Sequence, residues 1–368
     1  MDEDDAGASP SAPPRPSTPA RRRFTTSPPV PADVLAAREV GRRNALGKMG
    51  PCRSGCGDLD DHVLRGGGFE RGCVVGLGLQ VLSRELLDRR ASSPPDSRAL
   101  IITPRPAGEV LGSLRESLEA QLRQTGEGEG EGEGAGGCVL AECLERVMLS
   151  CVFDMDGLGE VLSDLDRDVQ DAEAEADIHE THDGQDARGG EPPSLVLITH
   201  FSSLLSGLFA QRERRAAHET VSRVGARLGR LSRTLPSGPL VMMLNSATGT
   251  GTGTGPPTRT AADPSLQGIF GPRPRPSFGV VFAQLLDMHL LCSRATTRHG
   301  GTPTETVRRR DGGQEQDHPG AASVTVVEVL TDDMGVWQGR RGPRPSREQR
   351  WTAVHVVAGR VVCAMHPG

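Results

Sequence analysis

The chain is predicted to be an α/β protein. A mostly parallel sheet is covered by helices on both faces and closes on an antiparallel carboxyl-terminal edge. Three observations predict this. The apolar runs Ala99–Thr103, Leu195–Thr199 and Pro239–Asn245 are continuous, lacking the alternation of a half-solvated strand. Helical patterns stand between such runs, as βαβ units require. The late runs Ser323–Leu330 and Ala353–Val362 have strand character with no helical pattern between them.

In chain order, Cys73–Gly76 reads as a short strand and Leu79–Arg89 as the helix after it. Ala99–Thr103 is the next strand, with a helix over Gly108–Gln124. Leu144–Leu149 reads as a strand and Asp156–Leu165 as a helix. Beyond the strand Leu195–Thr199, Val221, Val224, Leu228, Leu231 and Leu235 recur at helical spacing and make Glu219–Leu235 amphipathic. Pro239–Asn245 is a buried strand, and Phe282–His289 leads into Leu290-Leu291-Cys292.

Composition bounds the rest. The 368 residues are only 35% apolar and include 47 Gly and 28 Pro, the mark of a core diluted by loops. Residues 1–50 read as an unstructured Pro/Ser/Arg-rich arm. Disordered insertions are expected near 126–137, 166–193, 249–276 and 296–322 within one domain over 51–368. The net charge of −6 argues against a generally basic nucleic-acid coat. Aromatic residues make up 3%, with no Tyr, so a base-stacking platform is poorly supplied. No apolar run is long enough to span a membrane, and the acidic start Met1-Asp2-Glu3 reads as no signal peptide. The eight cysteines form no CxxC pair and read as reduced thiols rather than a zinc site.

Ser54-Gly55-Cys56-Gly57-Asp58-Leu59-Asp60 followed by Gly66-Gly67-Gly68-Phe69-Glu70-Arg71-Gly72 resembles the entry to the RecA-type core of eukaryotic recombinases and their paralogues. Leu144-Glu145-Arg146-Val147 with Val152-Phe153 resembles a further segment of that family. Leu195–Leu205 sits where its Walker B strand lies, and Leu240–Asn245 where its strand ending in Asn-Gln lies. The resemblance covers about residues 51–335 and implies a RecA-like P-loop NTPase fold.

Against that pattern the nucleotide site is degenerate. A phosphate loop needs GxxxxGK[ST] between a strand and a helix, so that backbone N–H groups and a lysine hold the phosphates. Here Leu77-Gly78 leads almost directly from strand to helix, and the chain's single lysine, Lys48, lies upstream, in Gly41-x5-Gly47-Lys48-Met49. That segment has the wrong spacing, lacks the Ser/Thr, and follows no strand. Where the family carries its catalytic glutamate stand Pro104-Arg105-Pro106. Where it carries the magnesium-holding aspartate stand Thr199-His200. Asn245 remains, followed by Ser246. The expectation is a pseudo-ATPase with no catalytic, cofactor or metal residues.

Other chemistry reads weakly. His179-Glu180-Thr181-His182 is one residue short of a zinc-protease HExxH and lies in an acidic stretch. His200 with Ser202 and Ser203 lacks a nucleophile elbow and reads as structural, though near the sheet edge where ligands gather.

Basic residues are the better candidates. Arg212, Arg214 and Arg215 follow the Walker B-like strand, where the resemblance implies a first DNA-binding loop. Arg223, Arg227, Arg230 and Arg233 recur opposite the apolar face of the next helix. Arg273 and Arg275, with Arg259, match the position of a second such loop. Arginines there contact phosphates without reading sequence, while a solvated helix face accounts for the same pattern. Arg340, Arg341, Arg344, Arg347 and Arg350, beside Trp337 and Trp351, form a further DNA or partner surface.

The resemblance is to degenerate, Shu-complex-like fungal recombinase paralogues. It implies a non-catalytic nuclear subunit supporting homologous recombination and DNA repair, with weak sequence-nonspecific DNA binding and another paralogue or recombinase as partner. Two alternatives stay open: an interaction scaffold on a RecA-like core outside DNA repair, and a residual ATP-binding DNA-dependent ATPase.

Overall fold

The computed structural model describes residues 30–75, 79–88, 98–125, 135–178, 192–248, 275–297, 322–334, 350–357 and 360–364. The chain falls into two units, 1–44 and 45–368.

The first helix, α1 (Ala32–Met49), stands where the sequence reading leaves an unstructured arm. Its Ala, Leu, Arg and Glu residues favour helix, and Glu39 pairs with Arg42 and Arg43 one turn on. It has no apolar stripe and buries no residue, so hydrophobic patterning gave no sign of it. The Gly47-Lys48 near-match to a phosphate loop is helical here.

Beyond it the molecule is an α/β protein built on one sheet. The strands are β1 (Val74–Val75), β2 (Ala99–Thr103), β3 (Val147–Cys151), β4 (Leu195–Ile198) and β5 (Leu240–Met243), then a small separate pair β6 (Ala247–Thr248) and β7 (Arg275–Pro276). β8 (Met288–Thr297), β9 (Ala322–Asp332), β10 (Trp351–Val357) and β11 (Arg360–Cys363) complete the set. Nine of them form a sheet in the order β11-β10-β9-β8-β1-β5-β4-β2-β3. The pairings from β8 to β3 are parallel. Those from β8 to β11 are antiparallel, the expected carboxyl-terminal edge.

The helices are α2 (Leu79–Asp88), α3 (Ala107–Thr125), α4 (Ala135–Glu145), α5 (Met155–Ile178), α6 (Phe201–Gln211), α7 (Arg214–Thr234) and α8 (Gly279–Ala283). Side chains of a strand alternate between faces, and this sheet has apolar residues on both. Ile101, Leu197, Leu240 and Met242 pack with Leu82 and Leu86 of α2, Leu114 and Leu118 of α3, and Cys143 of α4. Their neighbours Leu100, Ile102, Val196, Ile198, Val241 and Met243 pack with α5 to α8. The continuous apolar runs are the consequence of this double cover. Among the described residues no helix is long and apolar enough to cross a membrane.

Several elements depart from the sequence reading, which placed no helix at α4 or α6. Leu144 and Glu145 end α4, and the strand is Val147–Cys151. The helix begun at Met155 runs to Ile178, into the stretch read as a disordered insertion, where Ala172, Glu173, Ala174, Glu175 and Ala176 are good helix formers. α7 begins at Arg214, five residues before the expected start. The ends of the other expected insertions are also ordered: residues 135–137 open α4, 275–276 are β7, 296–297 end β8 and 322 opens β9. Residues 1–29, 126–134, 179–191, 249–274 and 298–321 lie outside the described residues.

The glycine-rich entry has a local cause. Cys52 and Phe69 form an antiparallel bridge, N–H to O distances 2.9 and 2.8 Å. Gly68, at φ 147°, lies so close that a Cβ there would stand 2.6 Å from the Cys52 carbonyl oxygen. Buried Arg71 then donates to Glu85 of α2 at 2.7 Å and to the Gly50 carbonyl at 2.9 Å, tying the entry to the helical layer.

Candidate functional site

Two places gather polar side chains. The first is the carboxyl edge of the parallel sheet. β2 ends in Thr103 and β4 is followed by Thr199, both buried. Thr199 Oγ1 donates to Thr103 Oγ1 at 2.8 Å, and Thr103 Oγ1 accepts from the Arg105 backbone N–H at 3.1 Å. His200 follows with φ 50°, a left-handed conformation disfavoured for a residue with a Cβ. Its Nδ1 lies 3.2 Å from Thr199 Oγ1. After β5, Asn245 Nδ2 donates to the Ser277 carbonyl at 2.8 Å, while its Oδ1 is buried without a partner. Ser246 donates to Ser202 at 2.8 Å. A cavity of about 210 Å³ opens here between the end of β5 and β8, with Asn245, Ser246, His289 and Cys292 in its wall. The junction at 76–78, where a phosphate loop would start, lies outside the described residues.

This edge can donate and accept hydrogen bonds through hydroxyl, amide and imidazole groups. The residues just after β2, β4 and β5 include no carboxylate. Among the described residues, no three His, Cys, Asp or Glu side chains are placed to hold a metal ion.

The second place is the groove between α5 and α7, about 450 Å³ in volume. The apolar stripe of α7 (Val221, Val224, Leu228, Leu231) is buried against the sheet as expected. Each such side chain contributes about 1.5–3 kcal/mol, which fixes the helix's rotation and carries its arginines to the side facing α5. Arg223, Arg227 and Arg230 line the groove. Arg212 binds Asp156 at one end. Arg227 Nε lies 3.2 Å from Asp166, and Arg230 binds the same carboxylate. Arg227 also donates to the Gly159 carbonyl at 2.9 Å. Among the described residues Arg223 reaches only the Glu219 carbonyl and the Thr220 hydroxyl, both at 3.4 Å.

The arginine side of α7 is therefore no plain solvated face: α5 supplies carboxylates to half of it. Arg233 lies beyond the groove and pairs with Asp287 at 3.0 Å. Asp287 also accepts from the Val74 backbone N–H at 3.0 Å, so Arg233 belongs to the packing of β1. Arg214 is exposed with no carboxylate partner among the described residues, and Arg215 reaches Glu219 at 3.4 Å.

The remaining candidates divide. Arg275 lies in β7 opposite Thr248. Arg273, Arg259, Trp337 and Arg340 to Arg347 lie outside the described residues, as do His179 to His182. Trp351 opens β10 opposite Glu328 and is half-buried. Arg350 corrects the sequence reading. It is 1% exposed, binds Asp332, and donates to the Val63 carbonyl at 2.8 Å. It joins β9 to the π-helical turn Leu59–Val63 and presents no surface charge.

Two features escaped the sequence reading. Phe153, after β3, is 92% exposed; only the fold shows that its neighbours Val152 and Met155 turn inward while it turns out. Cys56 and Cys363, far apart in sequence, stand with sulfurs 3.1 Å apart. Burial first, and the Cys363 contact second, push the Cys56 thiol up to about 12. The chain matches no known protein-family model and no curated protein.

Proposed function

We propose that this chain is a non-catalytic subunit with a RecA-like core, related to the recombinase paralogues. In this reading it supports homologous recombination and DNA repair in the nucleus by binding DNA weakly and pairing with a recombinase or another paralogue. One observation carries the non-catalytic part: the bond between Thr199 and Thr103 across the ends of β4 and β2. Phosphoryl transfer at such an edge needs negative charge to hold Mg²⁺ and a group to orient the attacking water. Two neutral hydroxyls satisfying each other supply neither. The doubly covered parallel sheet supports the core assignment, and the exposed Arg214 and Arg223 support DNA contact.

A scaffold outside DNA repair has its own supporting observation. Arg212, Arg227 and Arg230 are already paired with carboxylates, which lessens the cationic surface offered to DNA.

The test is a set of measurements on the purified full chain and a tagged pull-down from nuclease-treated extract. The proposal expects no ATP turnover, salt-dependent binding to single-stranded DNA, and recovery of a recombinase or paralogue. ATP hydrolysis abolished by a site mutation would overturn the non-catalytic reading. Absence of both DNA binding and any recombinase partner would favour the scaffold.

A further inference from the structure

The groove between α5 and α7 carries more charge than its internal pairing consumes. Arg212, Arg223, Arg227 and Arg230 stand around it with Asp156 and Asp166 as the carboxylates that pair with them. Of the other acids on these helices, Glu219 pairs with Arg215 and Asp164 with Arg167. Arg227 and Arg230 share one carboxylate, and among the described residues Arg223 has none. Among these described groups, four arginines meet two carboxylates in a concave site.

The arginines are also held in place. Arg227 is bound by Asp166, the Gly159 carbonyl and the Ser163 hydroxyl. Arg223 lies one helical turn before Arg227, and among the described residues its guanidinium meets no carboxylate. Met155 and Val224 supply apolar wall, which lowers the local dielectric and strengthens the field of the cations. A planar guanidinium fork matches the oxygens of a phosphate group.

We propose that the α5–α7 groove is a phosphate-binding site, with Arg223 and Arg230 contacting the anion and Asp166 and Gly159 positioning Arg227 beside it. The phosphate comes from a nucleic-acid strand or from a free polyphosphate; the first source rests on the DNA reading above. The site places that contact on the helical layer, between α5 and α7.

The test uses the full chain and the double variant Arg223→Gln/Arg230→Gln, with Arg214→Gln as a control outside the groove. Circular dichroism checks that each is folded. Probes are a fluorescent single-stranded oligonucleotide and inorganic pyrophosphate. The expected result is a roughly tenfold weaker oligonucleotide affinity in the double variant, with a salt slope lower by about one to two. Pyrophosphate should compete with the oligonucleotide, and Arg214→Gln should lose less. Equal oligonucleotide binding by wild type and double variant, with no pyrophosphate binding, overturns the groove site and leaves the DNA reading standing. Pyrophosphate binding that the double variant loses, with no oligonucleotide binding by wild type, upholds the groove and removes the DNA reading. Binding of neither probe overturns both.

Discussion

Arg350 and Arg230 carry the same charge and the same hydrogen-bonding fork, yet the fold gives them opposite roles. Arg350 is buried between β9 and the turn at Leu59–Val63, with Asp332 equally buried beside it. Arg230 is half exposed and shares Asp166 with Arg227. A buried ion pair is costly to break because the surviving charge has no water to turn to. An exposed pair is screened and its ions are readily resolvated. Both arginines come from basic runs, and the run itself does not tell which kind of site a residue will occupy.

Stability measurements sharpen the contrast. Arg350→Ala should cost about 3–5 kcal/mol in urea unfolding, since it removes the buried guanidinium that binds Asp332 and the Val63 carbonyl. If that variant is too unstable to purify, Arg350→Met with Asp332→Leu should recover most of the loss. A double variant no more stable than Arg350→Ala would contradict the account. On α7, Leu228→Ala removes a fully buried side chain from the apolar stripe. It should cost about 2–5 kcal/mol, read in the same assay. Arg230→Ala, two residues on and on the groove side, should cost less than about 1 kcal/mol. A larger loss there would make the groove pairing structural rather than available to a ligand.

The smallest effect belongs to α1. The Arg42 hydrogen bond, with help from Arg43, holds the Glu39 carboxyl down at about 2 from an ordinary 4.5. The folded form is the poorer proton acceptor. Its contribution to α1 is therefore present above pH 4.5 and is lost as pH falls toward 2. A carboxyl chemical-shift titration of Glu39 checks this; a midpoint near 4.5 would show that the pairing with Arg42 and Arg43 does not persist.

The parallel sheet was legible because its strands are buried on both faces. Ala99–Thr103 and Leu195–Thr199 match β2 and β4 nearly to the residue, as four consecutive apolar side chains leave few other solutions. α7 was legible for the same reason on one face only: its leucines and valines identify the buried stripe but say nothing about which element covers the opposite side. The carboxylates of Asp156 and Asp166 reach the arginines from a helix more than forty residues earlier, and no local pattern links them. Arg350 was misread because burial of a charge depends on a distant partner, Asp332, and on the Val63 carbonyl. The strand near Leu144 was misplaced because Leu144, Val147 and Leu149 fit the end of a helix and a strand equally well.

The middle position of β1 bears on how the chain folds during synthesis. Val74 and Val75 pair with Val241 and Met242 on one side and Met288 on the other. Both neighbours leave the ribosome long after β1 does. At about 5–20 residues per second, β1 waits on the order of ten seconds or more for its first partner. Strands β2, β3 and β4 can pair among themselves earlier, so the nascent chain holds a half-sheet with an open β4 edge until β5 arrives. Such non-local closure is slow and exposes apolar surface meanwhile. The chain should therefore depend on chaperones more than its modest apolar content suggests.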